Sequence, residues 1–125
     1  MNHESFTISY APVHTGTENT KIDYFETITE VTNVLCSHQN TLYVTDETVY
    51  TLSSMSVFFR NIPSSHVVVL PSGETYKTID QVLKILTQAV ELGLNRSSIF
   101  IGIGGGVVTD MTAFAASLFK RGCKL

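Results

Sequence analysis

The pattern of apolar and polar residues near the start of the chain predicts one strand and one helix. Residues 6–10, Phe-Thr-Ile-Ser-Tyr, alternate in the manner of a strand with one solvent-facing side. A loop rich in Thr, Gly and Asn follows. Residues 22–35 then carry apolar side chains at steps of three and four, which predicts a helix with the stripe Ile22, Phe25, Ile28, Val31, Val34 and Leu35.

The middle of the chain predicts two further strands. Residues 41–44 favour a strand that ends at Asp46, and an aspartate in that position is suited to cap a following helix. Residues 47–59 form a weaker helical pattern, rich in Ser and Thr. Residues 67–70 are all apolar, which is typical of a strand buried on both faces, and Pro71-Ser72-Gly73 then turns the chain.

Two better-defined helices and another buried strand follow. Thr78 and Gln81 have the spacing of a capping box, and Gly93 lies where a left-handed residue would end the helix. Its apolar stripe is Ile79, Val82, Leu83, Leu86, Ala89 and Val90. Residues 99–101 predict a buried strand that enters Gly102-Ile103-Gly104-Gly105-Gly106. The last predicted helix covers residues 107–120, with a buried stripe of Val107, Met111, Phe114, Ala115 and Leu118, and with Lys120 and Arg121 at the negative end of its dipole.

Strands that alternate with helices predict an α/β fold, in which helices cover both faces of a parallel sheet. Lys124 and Leu125 resemble the beginning of another strand. We therefore expect residues 1–125 to form one incomplete amino-terminal domain, either a fragment or a truncated homologue.

Composition excludes several classes of function. A hydrophobic fraction of 43% with 15% charged residues is enough for a packed core. A net charge of -3 argues against sequence-independent binding to nucleic acid, which requires a basic face. Neither a membrane-length apolar run nor a secretory signal is visible, so we expect a cytoplasmic protein without membrane contact.

Cysteine and histidine spacing predicts neither a disulfide nor a metal site. Cys36 and Cys123 lie 87 positions apart without a CxxC motif, and we expect both to be free thiols. The histidines show no HxxxH or HxH spacing, so we expect no metal site within this segment; they are His3, His14, His38 and His66.

The glycine run between the last strand and the last helix is the most informative segment. Glycines at a helix N-terminus leave backbone N–H groups accessible, and a phosphate can approach them without meeting a Cβ atom. The GxGxxG fingerprint is absent, because Val107 occupies its sixth position. Glycine also permits tight turns and close helix packing, so both a phosphate site and plain packing remain open here.

Five charged residues are candidates for a binding site, each with a structural alternative. Asp110 lies in the first turn of the predicted helix, where the dipole alone would stabilise it. Arg121 follows eleven residues later on nearly the same helical face, roughly 16 Å away, and is otherwise a solvated helix-end charge. Glu74 and Lys77 follow a strand's carboxyl end, where α/β proteins bind ligands, or they form a local ion pair. Asp46 is a helix cap or a partner for a ribose hydroxyl.

Two extended motifs together resemble one enzyme family. Residues 71–78, Pro-Ser-Gly-Glu-Thr-Tyr-Lys-Thr, look like the PxGExxKT segment of 3-dehydroquinate synthases. Residues 104–122 look like the GGGVxxDxxxFxAxxxxRG block of the same enzymes, at a fitting distance along the chain. The resemblance is clear over residues 67–122 and extends plausibly to residues 41–46.

The resemblance implies an amino-terminal, Rossmann-like NAD-binding domain. It implies that Arg121 reaches the phosphate of a sugar phosphate substrate, in its own or a neighbouring subunit's site, since these enzymes are dimers. Zinc or cobalt is implied only for a helical carboxyl-terminal domain, which we expect to be absent from these 125 residues. By the same resemblance, the NAD contacts are Asp46, Glu74, Lys77, Gly105, Gly106, Val107 and Asp110.

The implied reaction converts 3-deoxy-arabino-heptulosonate 7-phosphate to 3-dehydroquinate and phosphate, a step of the shikimate pathway, with transient oxidation by NAD. Without the metal-binding half, we expect this chain alone to lack cyclase activity. Thr109 and Ala113 stand where many family members have glycine, and Phe119 replaces a frequent tyrosine. The resemblance therefore implies NAD as cofactor more directly than it implies which sugar phosphate is the substrate.

Two other interpretations remain. Polyol and iron-dependent alcohol dehydrogenases share a GGG element, but they resemble GGGSxxDxAK, and here Val107 replaces the serine and no lysine follows Asp110 within six residues. The chain could also be a non-catalytic fragment that binds nucleotide weakly. Titration with NAD distinguishes binding from its absence.

Overall fold

The computed structural model describes residues 4–10, 18–35 and 40–125, with the side chains of residues 22–32 and 40–125. The strands are β1 Glu4–Tyr10, β2 Glu18–Tyr24, β3 Thr41–Asp46, β4 Val67–Leu70 and β5 Ile99–Ile103. The helices are α1 Ile28–Leu35, α2 Glu47–Tyr50, α3 Ser56–Arg60, α4 Ile79–Glu91 and α5 Gly106–Leu118. Short 3-10 turns cover Ser53–Met55, Ser64–His66, Glu74–Tyr76 and Phe119–Arg121.

The first two strands form an antiparallel hairpin that the sequence pattern missed. β1 confirms the strand predicted at residues 6–10, but residues 22–24 belong to β2 and not to a helix. In the register Phe6 faces Ile22 and Ile8 faces Thr20, so cross-strand pairing wins over helical spacing in this segment. The predicted helix over residues 22–35 is therefore shortened to α1.

The start of α1 is marked by a capping arrangement. The Glu26 amide donates to the Glu30 carboxylate at 3.1 Å, and the Glu30 amide donates to the Thr27 hydroxyl at 3.4 Å. Thr27 thereby satisfies one amide that the first helical turn leaves without a partner, and Glu30 bonds back to the residue before Thr27, in an arrangement close to a capping box. It places the beginning of the helix at Ile28.

The central sheet is parallel, with strand order β4-β3-β5. α4 and α5 cover one face, where Leu42, Leu70 and Phe100 are fully buried. α3 and part of α1 cover the other face through Phe58 and its neighbours. The predicted α/β fold with a parallel sheet covered on both faces is thus confirmed.

The strand predictions are confirmed in position and partly wrong in burial. Residues 41–45 of β3 are buried, as expected of a central strand. In β4 only Val68 and Leu70 are buried, because they point to the face that α4 and α5 cover, while Val67 and Val69 point to the other face and are half-buried. Lys124 forms a parallel bridge with Ile99, so the predicted start of another strand is present.

Residues 47–59 do not form the single weak helix that the pattern predicted. α2 lasts one turn, the chain passes through Ser53–Met55, and α3 begins at Ser56. The hydroxyl groups of Thr51 and Ser56 bond to backbone carbonyls three or four residues earlier. Such bonds compete with regular helix geometry, which fits the interruption.

α4 ends where it was predicted to end, but it begins without the expected cap. Gly93 has φ 69°, and the amides of Gly93 and Leu94 donate to the carbonyls of Val90 and Ala89, which is a Schellman motif. Thr78 makes no side-chain capping bond, and the amide oxygen of Gln81 is buried with no partner in the described residues. The predicted capping box is therefore wrong.

The buried faces of α4 and α5 differ from the predicted stripes. Ile85 is buried on α4, whereas Ile79, Leu83 and Val90 are more than half exposed. On α5, Phe114 and Leu118 are 48% exposed. The residues that α5 buries are Val108, Met111, Thr112, Ala115 and Ala116, with Phe119 just beyond its end.

α5 begins one residue earlier and ends two residues earlier than predicted. Lys120, Arg121 and Gly122 all have positive φ, at 49°, 67° and 114°. They therefore turn the chain away from the helix axis, and the predicted helical face shared by Asp110 and Arg121 does not exist. Because Gly106 is the first helical residue, Asp110 also lies beyond the first turn, so the dipole interpretation of its carboxylate is wrong.

Candidate dinucleotide site

Apart from Arg121, the predicted site residues lie in or just after the three loops that meet at one edge of the sheet. Parallel strands end on the same side, and that edge is where open α/β sheets bind ligands. β3 ends at Asp46, β4 leads into residues 71–77, and β5 leads into residues 104–106. β3 is the central strand, so its loop lies between the other two.

The first two glycines of the run are required by packing. A Cβ atom at Gly102 would lie 3.0 Å from the hydroxyl of Thr112 and 3.2 Å from its Cβ. A Cβ atom at Gly104 would lie 2.9 Å from the side chain of Val108. The contact at Gly104 is closer than real Cβ atoms come, and the contact at Gly102 is tight enough that Thr112 would have to shift by a few tenths of an ångström. Both glycines therefore help α5 to pack closely against the end of β5.

Gly105 and Gly106 have no such packing role. A Cβ atom at either position would meet nothing within 4 Å among the described atoms. Gly105 has φ -77° and Gly106 is helical, so neither backbone conformation requires glycine. These two positions instead keep the first turn of α5 open toward the edge of the sheet.

The N-terminus of α5 carries no side-chain cap. Gly105 is the N-cap residue and offers no side chain to the first-turn amides. The Thr109 hydroxyl bonds back to the carbonyls of Gly105 and Gly106 at 3.3 and 3.2 Å. Thr109, which departs from the family pattern, therefore has its hydroxyl engaged within the helix itself.

Lys77 links the two motifs. Its ammonium donates to the Asp110 carboxylate at 2.8 Å and lies 3.7 Å from a Glu74 carboxylate oxygen. The pKa of Lys77 lies above its ordinary value, chiefly because of the hydrogen bond and charge of Asp110, with a smaller effect of Glu74. The structure thus brings Glu74, Lys77 and Asp110 together, although they come from two separate motifs.

Asp46 acts as a helix cap. Its carboxylate accepts a hydrogen bond from the Val49 amide at 2.8 Å, at the first turn of α2. Asp46 is half-buried at the carboxyl end of β3, next to the strand that leads into the glycine run. The capping alternative is confirmed, and within the described residues this hydrogen bond engages one of the two carboxylate oxygens.

A contact that the sequence did not reveal joins the loops after β3 and β4. The Ser72 hydroxyl accepts from the Thr48 amide at 3.1 Å and lies 2.8 Å from the Thr48 hydroxyl. Residue 72 is a variable position of the PxGExxKT motif, so the resemblance gave no reason to select it. Together, Asp46 and Ser72 engage two of the amides at the start of α2.

Arg121 lies apart from the other predicted site residues. α5 runs from the glycine run back across the sheet for 13 residues, about 20 Å at 1.5 Å per residue. Lys124, three positions after Arg121, pairs with the first residue of β5. The exposed Arg121 therefore lies toward the amino edge of the sheet, opposite the Gly105–Gly106 opening.

An apolar groove adjoins the Lys77–Asp110 pair. It encloses about 350 Å³ between the N-terminal parts of α4 and α5. Its lining residues are Lys77, Thr78, Ile79, Val82, Asp110, Met111 and Phe114. The sequence pattern missed this groove because it assigned Ile79 and Phe114 to the buried core.

The described residues contain no cluster of three or more His, Cys, Asp or Glu side chains suited to a metal ion. Cys123 has a free thiol whose pKa is raised by burial. The expectations for Cys36, His3, His14 and His38 lie outside the described residues. Within the described part, no helix combines the length and apolar character needed to cross a membrane.

Comparison with known proteins identifies the segment that holds most of this site. Residues 67–125 match the family model for the amino-terminal part of 3-dehydroquinate synthase. This segment, just under half of the chain, is similar to the amino-terminal part of 3-dehydroquinate synthases. The match covers both motifs, from β4 through α5.

Curated relatives show the same similarity. The 3-dehydroquinate synthase of Shewanella halifaxensis is 41% identical over 87 residues, which are 68% of this chain and 24% of that protein. The Pyrococcus abyssi enzyme is 48% identical over 58 residues, or 46% of this chain and 18% of its own length. The chain therefore spans about a quarter or less of these relatives.

Solved structures of sugar phosphate cyclases share the fold. A 2-deoxy-scyllo-inosose synthase, solved with carbaglucose-6-phosphate, NAD+ and Co2+, has a TM-score of 0.63 at 19% identity. The match covers 94% of this chain and 33% of that one. A 2-epi-5-epi-valiolone synthase from Streptomyces hygroscopicus, with NAD+ and Zn2+, has a TM-score of 0.57 at 24% identity and covers 72% and 26%. The Rossmann-like assignment is confirmed.

Proposed function

We propose that this chain holds NAD at the carboxyl edge of its parallel sheet, as the amino-terminal part of a 3-dehydroquinate synthase-type cyclase. The observation that carries this proposal is the open space at Gly105 and Gly106. Packing accounts for the two preceding glycines and not for these two, whereas a pyrophosphate lying against the α5 amides needs both Cβ atoms to be absent.

The residues present fit a dinucleotide. The uncapped N-terminus of α5 supplies backbone donors near Gly105, Gly106 and Val107, and the helix dipole favours an anion there. Lys77 adds a cation beside this opening. Asp46, at the end of the adjacent strand, is placed as ribose-binding acidic residues are in doubly wound sheets.

The charges of Glu74 and Asp110 fit this assignment through Lys77. Two carboxylates beside a pyrophosphate would repel it, and the Lys77 ammonium between them offsets part of that negative charge. Their oxygens also accept hydrogen bonds, which suits them to ribose hydroxyls or an amide rather than to phosphate. We therefore assign phosphate contact to the α5 amides and polar contacts to the carboxylates.

When bound, NAD would supply reversible oxidation of a substrate hydroxyl, which acidifies the adjacent C–H bond. The substrate we propose is 3-deoxy-arabino-heptulosonate 7-phosphate, which the family cyclises to 3-dehydroquinate with loss of phosphate. Arg121 lies far from the glycine run, so its proposed contact with the substrate phosphate suits a neighbouring subunit's site in a homodimer. Zinc or cobalt would be bound by residues outside this segment.

The 125 residues alone should not perform the cyclisation. They span 24% of the Shewanella halifaxensis relative, and the described part offers no metal cluster. The same observation favours a second candidate function, a non-catalytic segment that binds dinucleotide. Cyclase turnover by the isolated chain would contradict both statements.

Titration of the purified chain with NAD by calorimetry tests the proposal. The Gly105→Ala and Gly106→Ala variants should fold normally, because each added methyl group meets open space, yet they should weaken NAD binding by about tenfold or more. Thr87→Ala, an exposed change on α4 far from the glycine run, is the matched control and should bind like the wild type.

Two outcomes would reject the proposal. One is a wild-type chain that is folded by circular dichroism but binds no NAD at millimolar concentration. The other is a pair of glycine variants that bind as tightly as the wild type. The second result would reject only the proposal that NAD binds at Gly105 and Gly106, and the assigned fold would still stand.

A further inference from the structure

The loop of residues 71–77 is held by side-chain hydrogen bonds at both of its ends. At its start, the Ser72 hydroxyl contacts the amide and the hydroxyl of Thr48. At its end, the Lys77 ammonium contacts Asp110 on α5. The loop thus has fixed positions relative to both neighbouring loops of the proposed site.

The Ser72–Thr48 contact has a specific electrostatic consequence. Thr48 is the second residue of α2, and its amide is one of the donors that a helix start leaves without an intrahelical partner. Asp46 caps the Val49 amide and Ser72 takes the Thr48 amide, so two first-turn donors of α2 are occupied by side chains. An anion at this edge is therefore directed to α5, whose N-cap residue has no side chain.

The same contact fixes the spacing of two proposed ligand groups. Ser72 is two residues from Glu74, and Thr48 is two residues from Asp46. Both hydroxyl-bearing residues are polar, non-charged and close to the crevice, and nothing in the family motifs assigns them a role. Their bonds, at 3.1 and 2.8 Å, hold together residues that lie 24 positions apart in the chain.

We propose that Ser72 and Thr48 are positioning residues of the dinucleotide site, acting through the placement of the 71–77 loop against Asp46. This inference rests on the proposed function. A loop that already has its binding conformation loses less conformational entropy when NAD binds. The affinity for NAD is therefore higher than it would be for a mobile loop. Removal of the contact should therefore weaken NAD binding while leaving the fold in place.

Graded substitutions test this role by calorimetric titration with NAD, well below the melting temperature. Ser72→Ala removes both bonds and should weaken binding by about three- to tenfold, whereas Thr48→Val removes only the hydroxyl bond and should have a smaller effect. The double variant should be no weaker than Ser72→Ala, because the two residues act as one unit. Ser72→Thr keeps a hydroxyl group and should restore most of the affinity.

Ser117→Ala is the matched control. It also removes an exposed serine hydroxyl, but one that bonds locally to the Phe114 carbonyl at the far end of α5. It should bind NAD like the wild type. A purely structural role of Ser72 would lower the melting temperature without changing the dissociation constant of the folded protein.

The two proposals fail in different ways. A wild-type chain that binds NAD and a Ser72→Ala variant that binds equally well would overturn the positioning role alone. Affinity losses that multiply in the double variant would also overturn it, since independent effects mean that the pair is not a unit. A folded wild type without NAD binding would overturn the proposed function, and the positioning role with it.

Discussion

The two halves of the glycine run illustrate two different reasons for the same residue type. A Cβ atom would clash with Val108 at Gly104 and would force Thr112 to shift at Gly102, so the packing of α5 against β5 disfavours a side chain at both positions. Gly105 and Gly106 face open space in ordinary backbone conformations, so the folded chain does not determine them. A glycine that packing does not require is the one that indicates a ligand.

The largest effect on stability is expected at Gly104. Alanine there would place a methyl group 2.9 Å from the side chain of Val108, which is 1% exposed and cannot move into solvent. We expect the free energy of unfolding to fall by about 1–3 kcal/mol, measured by urea denaturation. Combination with Val108→Ala should recover part of the loss by an interaction energy of about 0.5–3 kcal/mol. If the two substitutions changed the free energy of unfolding in a strictly additive way, the clash with Val108 would not be the cause of the loss at Gly104.

A smaller loss is expected at Gly102. The added methyl group would press on Thr112, whose hydroxyl donates to the Val108 carbonyl at 2.6 Å inside the fold. We expect Gly102→Ala to cost about 1–2 kcal/mol in the same denaturation experiment, since a shift of Thr112 disturbs a buried hydrogen bond. If Gly102→Ala left the free energy of unfolding unchanged, packing would not require glycine at this position, as at Gly105 and Gly106.

The open half should behave differently. Gly106→Ala removes conformational freedom from the unfolded chain without a clash, so stability should stay unchanged or rise by about 0.4–1 kcal/mol. Gly105→Ala should cost no more than about 1 kcal/mol, because alanine is a poorer N-cap residue than glycine but meets no clash. A loss above about 1 kcal/mol at either site would mean that packing also determines these positions. The distinction between the two halves would then disappear.

The smallest expected effect is that of the Lys77–Asp110 ion pair, which lies beside Gly105 and Gly106. It should be detected as a pH dependence of the free energy of unfolding. The pKa of Lys77 is raised in the folded state, so its contribution to stability is fully present below the ordinary lysine pKa of about 10.4 and is lost as pH rises further. The stability difference between wild type and Lys77→Met should therefore be constant from pH 7 to 9 and shrink above about pH 10.5. A difference that changes between pH 7 and 9 would contradict this origin.

The sequence predicted the parallel sheet well because its strands are short apolar runs bounded by clear turn residues. It failed at residues 22–24, where helical spacing competed with a cross-strand partner, Ile22 against Phe6, that only the hairpin reveals. The Thr27–Glu30 spacing was a usable signal for the true beginning of α1.

Burial on the last two helices was harder to predict. Ile79, Leu83, Phe114 and Leu118 have the spacing of a core stripe, yet they are exposed. Periodicity identifies a face and does not say which of two adjacent apolar faces meets the sheet. Small residues such as Ala115 and Ala116 are the ones that let α5 approach closely.

The candidate site was predictable where a motif names its residues, and not where unrelated segments meet. Glu74 and Lys77 could be selected from their position after a strand. The pairing of Lys77 with Asp110 across 33 residues, and of Ser72 with Thr48, depends on strand order, which spacing along the chain does not encode.

The left-handed turn at Lys120 and Arg121 has a consequence for how the chain opens. Two consecutive non-glycine residues with positive φ cost on the order of 1–2 kcal/mol each, a strain that the pairing of Lys124 with β5 must hold in place. The backbone after α5 is thus strained, and its pairing with β5 keeps it in this conformation. Its amides should exchange with deuterium well before those of the central strand β3.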